Sequence, residues 1–569
     1  MKASDYIVQF LEEQGIEYVF GYQGGMITHL VDSLGKSHKV RFIQCYHEQS
    51  AAFAAEGYAR VSGKFGVCIT TSGPGATNAI TGIGNAFFDS VPVLYITGQV
   101  NTYNYKFGRK LRQLGFQETD IVSITRPITK WAKFIMDARE LPDCLENALS
   151  TMLFGRRGPV LLDLPMDVQR SDIDVSEAPL PSRERNDVNA LSRADIKRVL
   201  DDMTAARRPL VLCGGGLANA ELRQMAARFL RRSGLPYVVS LMGKGNVDET
   251  DGNFIGMIGS YGNRAANCIL AEADVVLCLG SRLDSRQTGN RDSRLLRNKR
   301  FIRIDLDEDE LIDNPMPTQI GIVADLRSFL ADAEVAGFHA RVSDEWTGRI
   351  RFVRETRSQS EDVMRFAKNK LPYEVLAAVS EIAPEDAVFT VDVGQNQMWS
   401  AQTVVCSLRR LFLTSGGMAP MGYAIPAAVG AAFADGTRHV VCLCGDGGFH
   451  IALQSLMLIR QYSLKVTIVV FNNHSLGMIT QFQNLYFSGN MLGTTEDGGY
   501  LVPDISAIAR AYGLQYRHIH AVAEMSPQWF GESGIVEIDI PDLTTVVPKL
   551  EYNKDLDDMA PEWRIEPDV

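Results

Sequence analysis

The run Gly445-Asp446-Gly447-Gly448-Phe449 closes the apolar stretch Val440-Val441-Cys442-Leu443. After a helical stretch and a second apolar run, Val466-Thr467-Ile468-Val469-Val470, comes Asn472-Asn473. The Asp446 carboxylate and an amide oxygen of Asn473 are donors that a hard divalent cation accepts, and the flanking glycines let backbone N–H groups approach phosphate oxygens. Each piece alone reads as an ordinary turn. Strand, Gly-Asp-Gly, helix, strand and Asn-Asn in that order read as one site that holds Mg²⁺ and a diphosphate together. A weaker signal is Cys213-Gly214-Gly215-Gly216 directly after Leu210-Val211-Leu212, a pattern shared by nucleotide sites and by tight strand-to-helix turns.

These residues need a scaffold that alternates strands and helices, and the chain has that rhythm three times. Val67-Cys68-Ile69-Thr70, Val93-Leu94-Tyr95-Ile96 and Val160-Leu161-Leu162-Asp163-Leu164 read as buried strands separated by helical patterns. A second unit runs from Pro209 through Val238-Val239, Val275-Val276-Leu277 and Phe301-Ile302-Arg303-Ile304 to about Asp325, and a third opens at Val388-Phe389-Thr390-Val391. Continuous apolar strands with intervening helices predict mostly parallel sheets covered on both faces. The charged, proline-bearing stretch 170–192 reads as a linker, and 338–370 as a helical connector. No short tandem repeat joins the units.

With 569 residues, 46% hydrophobic and 22% charged, the chain is long enough for three cores and is neither disordered nor membrane-spanning in composition. A net charge of −11 argues against nucleic-acid phosphates as partners, and no apolar run has the length of a membrane span. The nine cysteines form no CxxC pair and several sit in apolar runs, so a reduced, cytoplasmic chain is expected in place of a disulfide framework or a zinc site. The N-terminus lacks the apolar block of an export signal.

Beyond the two cation-binding pieces, His47-Glu48-Gln49, Ala55-Glu56-Gly57-Tyr58-Ala59-Arg60 and Thr71-Ser72-Gly73-Pro74-Gly75-Ala76-Thr77-Asn78 resemble the pyrimidine-binding half of the thiamine-diphosphate enzymes. Asp392-Val393-Gly394-Gln395, Gln397-Met398-Trp399 and Ser415-Gly416-Gly417 resemble the diphosphate-binding half. Nearly the whole chain resembles the acetohydroxyacid synthase large-subunit pattern, the residues after about 550 excepted. The resemblance implies three doubly wound α/β domains with mostly parallel sheets. It divides the chain into a pyrimidine-binding domain over 1–170, a central FAD-binding domain over 190–335, a diphosphate and Mg²⁺ domain over 365–550, and a tail over 551–569.

Site residues follow from the same resemblance. Glu48 is the acid that exchanges a proton with the aminopyrimidine, from a poorly solvated site suited to that role. Met421 supports the bent cofactor, and Gln117 joins them as a catalytic candidate. His47 has no catalytic part. Tyr22, Gly24, Pro74 and Asn78 lie on the pyrimidine side, and Gln395, Gly447, Gly448 and Met478 on the diphosphate side. Mg²⁺ is held by Asp446, Asn473 and the backbone oxygen of Ser475. FAD, in a structural role, falls to Arg156, Gly214, Gly215, Gly216, Ser240, Leu241, Met242, Arg282, Asp284, Asp305 and Asp325. Phe116, Arg286 and Phe482 face the substrate, Arg286 pairing with a keto-acid carboxylate.

The sequence departs from the family on the acceptor side. Met166 stands in place of a Lys, Ser260 in place of a Met, Ser285 in place of an Asp and Phe482 in place of a Trp. The implied activity is decarboxylation of pyruvate and transfer of its acetyl unit to a second carbonyl, forming 2-acetolactate when that carbonyl is pyruvate. Transfer to a non-acid ketone or nucleotide-linked ketosugar, and pyruvate oxidation through FAD, are the alternatives; a regulatory binding protein on a disabled fold is disfavoured by the joint presence of Glu48, Asp446 and Asn473. In the family the two cofactor-binding halves come from different subunits, so a homodimer or tetramer is implied. The acidic tail, Tyr552-Asn553-Lys554-Asp555-Leu556-Asp557-Asp558-Met559, reads either as a cover over the active site or as a solvated extension, and its composition favours the extension.

Overall fold

The computed structural model describes residues 1–174, 191–289, 299–316 and 318–563. Its strands fall into three six-stranded sheets. The first contains β1 (Tyr18–Gly21), β2 (Arg41–Gln44), β3 (Gly66–Thr70), β4 (Val93–Gln99), β5 (Trp131–Phe134) and β6 (Val160–Pro165). The second contains β7 (Pro209–Cys213), β8 (Tyr237–Val239), β9 (Phe254–Met257), β10 (Val275–Leu279), β11 (Arg300–Asp305) and β12 (Ile320–Val323). The third contains β13 (Val388–Val391), β14 (Leu411–Thr414), β15 (Val440–Gly445), β16 (Val466–Asn472), β17 (Gln515–Ile519) and β18 (Gly534–Asp539).

Every strand pair within these sheets is parallel. Central strands such as β3, β4, β6, β7 and β16 are buried along their whole length, which is why they read as predominantly apolar runs with few polar residues. The first and third sheets share one order, β2-β1-β3-β4-β6-β5 and β14-β13-β15-β16-β18-β17. Their kinship lies in topology, with no trace of it as a sequence repeat. The middle sheet runs β12-β11-β10-β7-β8-β9, the 3-2-1-4-5-6 order of dinucleotide-binding folds, with its switch point between β7 and β10. The expected connector is helical, as Asp344–Thr356 and Gln359–Phe366. Most of the expected linker lies outside the described residues.

The first and third units lock together where the helix Glu48–Ser62 crosses the helix Ala424–Ala434. A Cβ at Gly57 would overlap the Ala427 carbonyl, and one at Gly430 would overlap the carbonyl of Ala54. The pairings 54 with 430 and 57 with 427 run in opposite order, so the two helices pass each other in opposite senses. Beside the crossing lies a buried charge network. Arg60 pairs with Glu56 at 2.7 Å and Asp89 at 2.9 Å and donates to the Thr414 carbonyl. Asn85 donates to Glu56, the Tyr423 hydroxyl reaches the same carboxylate, and Ser415 bonds Asn85 at 2.5 Å. Asp89 accepts the backbone N–H groups of Gly416 and Gly417.

The tail corrects the sequence-based expectation. Its Leu556 and Met559 are each 1% exposed, Lys549 bridges to Ala560, and the buried Arg264 donates to the carbonyls of Met559 and Pro561. Trp563 packs on Phe366 with the Arg365 guanidinium over its ring. Two apolar anchors three residues apart outweigh the surrounding acidic residues, so 549–563 folds onto the molecule and the solvated extension is not found there.

Gly430→Ala tests the crossing. Its methyl has no space beside Ala54, so the thermal midpoint should fall by the equivalent of about 1–3 kcal/mol, the usual cost of overpacking; an unchanged midpoint in differential scanning fluorimetry would refute the close approach.

Candidate cofactor and active site

Asp446 leaves the carboxyl end of β15 as the first residue of the helix Asp446–Ile451. Its Oδ1 accepts the Gly447 N–H at 2.7 Å and the Tyr500 hydroxyl at 3.3 Å, whereas its buried Oδ2 has no hydrogen-bond partner among the described residues. Burial pushes the carboxyl up to about 6, against the opposing pull of the Gly447 N–H. A buried carboxylate oxygen left without a donor is costly, and a bound cation removes that cost.

Asn473 sits just beyond β16, 8% exposed, and its Nδ2 donates to Gln395 Oε1 at 3.2 Å. With the amide nitrogen so used, the oxygen is the side-chain atom able to ligate. Gln395 is itself fixed, its Nε2 donating to Gln481 Oε1 at 3.0 Å and to the Thr544 carbonyl at 2.7 Å. The Gln395 side chain therefore orients Asn473, and the residue is the first of the helix Gln395–Thr403, whose leading N–H groups have no intrahelical partner. Only a glycine fits at 477, where a Cβ would strike both amides. Ser475, 6% exposed, directs its backbone N–H toward Asp446, and His474 between them is left-handed with φ 50°. Met478 lies half-buried on the helix Gly477–Tyr486 that follows.

Met421 borders the same site, since a Cβ on Gly447 would come 2.8 Å from its terminal methyl. What holds Met421 there is Asp392, a residue to which sequence reasoning assigned no role. The Asp392 carboxylate is fully buried and accepts the N–H groups of Val393 at 2.9 Å and Gly422 at 3.0 Å, with Tyr423 and Ala424 also directed at it. It thereby caps the helix Ala424–Ala434 and sets the turn carrying Met421. Gly448 has no room for a Cβ because Asp392 Oδ2 lies against it. Burial pushes this carboxyl to about 7, relieved by those N–H donors. The signal in the sequence was an Asp directly after the strand Val388-Phe389-Thr390-Val391.

Glu48 belongs to a second constellation. It opens the helix Glu48–Ser62, whose N-cap is His47, the ring Nδ1 accepting the Gln49 N–H at 3.1 Å. Glu48 is 7% exposed and its Oε2 accepts from Asn78 Nδ2 at 3.0 Å, while Gly75 leaves room for Oε1. Pro74 and Asn78 begin and end the short helix Pro74–Asn78, and Gly24 packs on Thr71 at its edge, with Tyr22 about 37% exposed nearby in the chain. Gln117, left-handed at φ 63°, lies against Gly73.

Its neighbour Phe116 is 78% exposed, on a loop that Glu118 ties down by accepting the N–H groups of Lys106, Leu114 and Gly115. Behind this loop the buried Asp163 accepts from Thr97 at 2.7 Å and from Gln99 at 3.0 Å, and Gln99 donates on to the Thr119 carbonyl. Asp163 is a positioning residue for the loop that sequence reasoning missed, reading it only as part of an apolar strand.

The central unit brings its candidates to the switch point. Gly214 and Gly216 press against Gly280 so closely that a Cβ on either would collide with it. Ser240, Asp284 and Asp325 cap the starts of Leu241–Gly243, Ser285–Thr288 and Leu326–Val335, and Asp305 closes β11 and accepts the Asp307 N–H at 3.1 Å. A cavity of about 460 Å³, counting its open mouth, is lined by Leu241, Met242, Arg282, Asp284, Arg286 and Gly416 among others. Met242 reaches from the central unit onto Gly416 of the third. Arg156 is apart from this cavity in its bonding, paired with Asp307 at 2.8 Å and Glu310 at 2.9 Å and donating to Ser90. Phe482 is 51% exposed and packs on Tyr486, whose hydroxyl accepts the Tyr552 N–H of the tail. Ser260, another departure from the family pattern, accepts the Leu550 N–H through its carbonyl, so the tail borders the cavity.

Residues 1–124 match the thiamine pyrophosphate enzyme N-terminal TPP-binding domain, 196–333 the central domain and 392–532 the C-terminal TPP-binding domain of the same enzymes. The chain is 35% identical over 517 residues to the acetolactate synthase large subunit of Lactococcus lactis, covering 90% of this chain and 87% of that protein. It is 36% identical over 533 residues to a probable acetolactate synthase large subunit of Methanocaldococcus jannaschii, covering 90% and 87%. Against the acetolactate synthase isozyme 1 large subunit of Escherichia coli it is 35% identical over 513 residues, covering 90% and 88%.

Asp163 makes the fold pH-sensitive in a defined direction. Burial raises its carboxyl from 3.8 to about 7 in the folded chain. The folded state thus keeps a proton that the unfolded chain has released, and the stability this confers is complete below the unfolded value and lost as pH rises through the folded one. In Asp163→Asn, thermal midpoints taken across this window should decline less steeply than in the parent, by one proton or about 1.4 kcal/mol per pH unit; parallel curves would contradict the assignment.

Proposed function

The chain belongs to the thiamine pyrophosphate enzymes, in the family of the acetolactate synthase large subunits, and we propose that it joins two pyruvates, with loss of CO₂, into 2-acetolactate. The observation that carries this reading is the pairing of two unlike carboxyls: Glu48, buried and fixed through Oε2 by Asn78, and Asp446, buried with Oδ2 unpartnered. The first suits proton exchange and the second suits a cation.

The residues present fit the cofactors. Asp446 Oδ2, the Asn473 amide oxygen and the Ser475 carbonyl form an all-oxygen set of the kind Mg²⁺ prefers. Gly447, second in the helix that Asp446 opens, leaves bare backbone beside the same place and suits a diphosphate, while Gly448 makes room for Asp392. Gly214 and Gly216 pack tightly on Gly280 at the switch point of the middle sheet, the place where a dinucleotide such as FAD would lie in a structural role. Bound thiamine diphosphate supplies the electron sink that decarboxylation of a 2-keto acid requires.

The protein's part is positioning and proton control. Glu48 holds and returns a proton at Oε1, the oxygen not bonded to Asn78. Asp392 fixes the turn that sets Met421 over Gly447. Arg286, exposed at the cavity rim, holds a keto-acid carboxylate by charge-assisted hydrogen bonds. Phe482 gives the acceptor an apolar wall without an N–H donor, beside Tyr486 to which the tail is bonded. No observation favours a non-acid ketone, a nucleotide-linked ketosugar or flavin-dependent oxidation over a second keto acid.

The complete site needs two copies of the chain. The helix beginning with Glu48 and the helix beginning just after Met421 cross in opposite senses, so the two candidate groups leave the crossing from opposite ends. In a two-fold dimer each Glu48 constellation meets the partner's metal constellation.

Purified protein supplied with thiamine diphosphate, Mg²⁺, FAD and pyruvate should yield 2-acetolactate by product-resolved mass spectrometry; absence of any carbon–carbon bond formation defeats the reading. Glu48→Gln should cut turnover by about 100-fold or more, the usual worth of acid–base catalysis, while cofactor binding persists. Arg286→Gln should raise KM for pyruvate by about 10- to 100-fold, as expected for a lost charged hydrogen bond, with the fold unchanged.

A further inference from the structure

At the carboxyl rim of the third sheet, away from the residues assigned above, two imidazoles and a carboxylate converge. His518 lies on β17, the edge strand of that sheet, and His520 follows two residues later, a spacing that returns side chains to one face. Their rings are 4.4 Å apart by centroid. Asp539 ends the adjacent strand β18, and its Oδ2 lies 2.8 Å from His518 Nε2. One ligand atom from each of the three falls within 4.8 Å of the others. Among the described residues this is the one group of three or more His, Cys, Asp or Glu gathered so closely.

The donor set selects the ion. Mg²⁺ and Ca²⁺ take six or more oxygens, whereas two neutral imidazoles with one carboxylate and an open position suit Zn²⁺, Cu²⁺ or Ni²⁺. Ligand atoms around tetrahedral Zn²⁺ stand about 3.4 Å apart given bonds near 2.0–2.1 Å. Closing from the present spacing takes rotation of exposed side chains, with no movement of the strands. The backbone is already fixed: β18 is paired along its length to β16 and β17, and the His520 N–H is held by Glu524 at 3.3 Å. We propose that His518, His520 and Asp539 form a second metal site, selective for first-row transition ions of the Zn²⁺ class and separate from the Mg²⁺ site at Asp446.

The location gives the site a neighbour of interest. Asp539 pairs in register with Asn472, and its other oxygen, Oδ1, lies 3.7 Å from His474 Nε2, on the loop that carries Asn473 and Ser475. An ion drawn onto Asp539 therefore sits one side chain from that loop.

Isothermal titration of the metal-stripped full chain with Zn²⁺ alone, without thiamine diphosphate or pyruvate, tests the proposal independently of catalysis. A single ion per chain should bind, unaffected by millimolar Mg²⁺. The His518→Gln/His520→Gln double variant, changed only at exposed positions, should lose at least about tenfold in affinity, since loss of even an outer-shell partner costs 10- to 100-fold. Asp446→Asn should bind Zn²⁺ as the parent does, and Cu²⁺ in its place should show coupling to two imidazole nitrogens by electron paramagnetic resonance. Affinity unchanged in the double variant, lost in Asp446→Asn, or abolished by Mg²⁺ would each overturn it.

Discussion

The close crossing of the helices Glu48–Ser62 and Ala424–Ala434 is the constraint on which the rest of the molecule turns. Backbone meets backbone there, with Gly57 and Gly430 leaving no space for a side chain, and the buried Arg60, Glu56 and Asp89 charges beside it are satisfied only if both units are in place. Breaking one partner of such a network strands a buried charge, a loss of about 3–5 kcal/mol, so the two units behave as one body. That rigidity decides what the chain does with its chemistry. Glu48 starts one helix of the crossing and Met421 precedes the other, and their opposite senses separate the Glu48 constellation from the Asp446 constellation within a single copy.

Each half is then built by spending buried carboxyls. Asp392 and Asp446 lie at the carboxyl ends of neighbouring strands, β13 and β15, both raised by burial to about 7 and about 6. Their environments differ in one respect. Asp392 is surrounded by backbone N–H donors and so fixes the turn that carries Met421, whereas Asp446 keeps one oxygen without a partner. One carboxyl shapes the protein and the other is left for a ligand. Asp163 repeats the first role in the opening unit, where it steadies the loop bearing Phe116 and Gln117. The middle unit, with its dinucleotide-type strand order, sets Arg286 and Met242 at a cavity shared with the third unit.

Much of this was legible in the sequence because it depends on local pattern. Buried parallel strands announce themselves as predominantly apolar runs, and the Gly-Asp-Gly and Asn-Asn pieces state their spacing outright. What stayed hidden depends on long-range packing. Glu56 and Arg60 read as motif residues near a cofactor, yet together with Asn85, which carried no reading, they are spent on the junction with Thr414–Tyr423, a contact that no local pattern shows. Gln395 read as a diphosphate contact, and the part its side chain plays in steering Asn473 went unread. Asp392 sat unassigned inside a quoted motif, and the tail was judged by its acidic residues when Leu556 and Met559 governed its fate. Outside the tail, each of these was a charged or polar side chain read at most from its local motif, and the fold sets it beside a partner distant in sequence.

A site shared between two copies is the central claim, and subunit complementation tests it most directly. Glu48→Gln and Asp446→Asn chains, each inactive alone, are co-expressed with different affinity tags and the mixed population is assayed for acetolactate. If one copy's Glu48 serves the other's metal site, half of a random mixture is hybrid and each hybrid keeps one intact site, so activity should return to about a quarter of the parent. A mixture as inactive as either variant would contradict the claim, because it would place both groups in a site belonging to one chain.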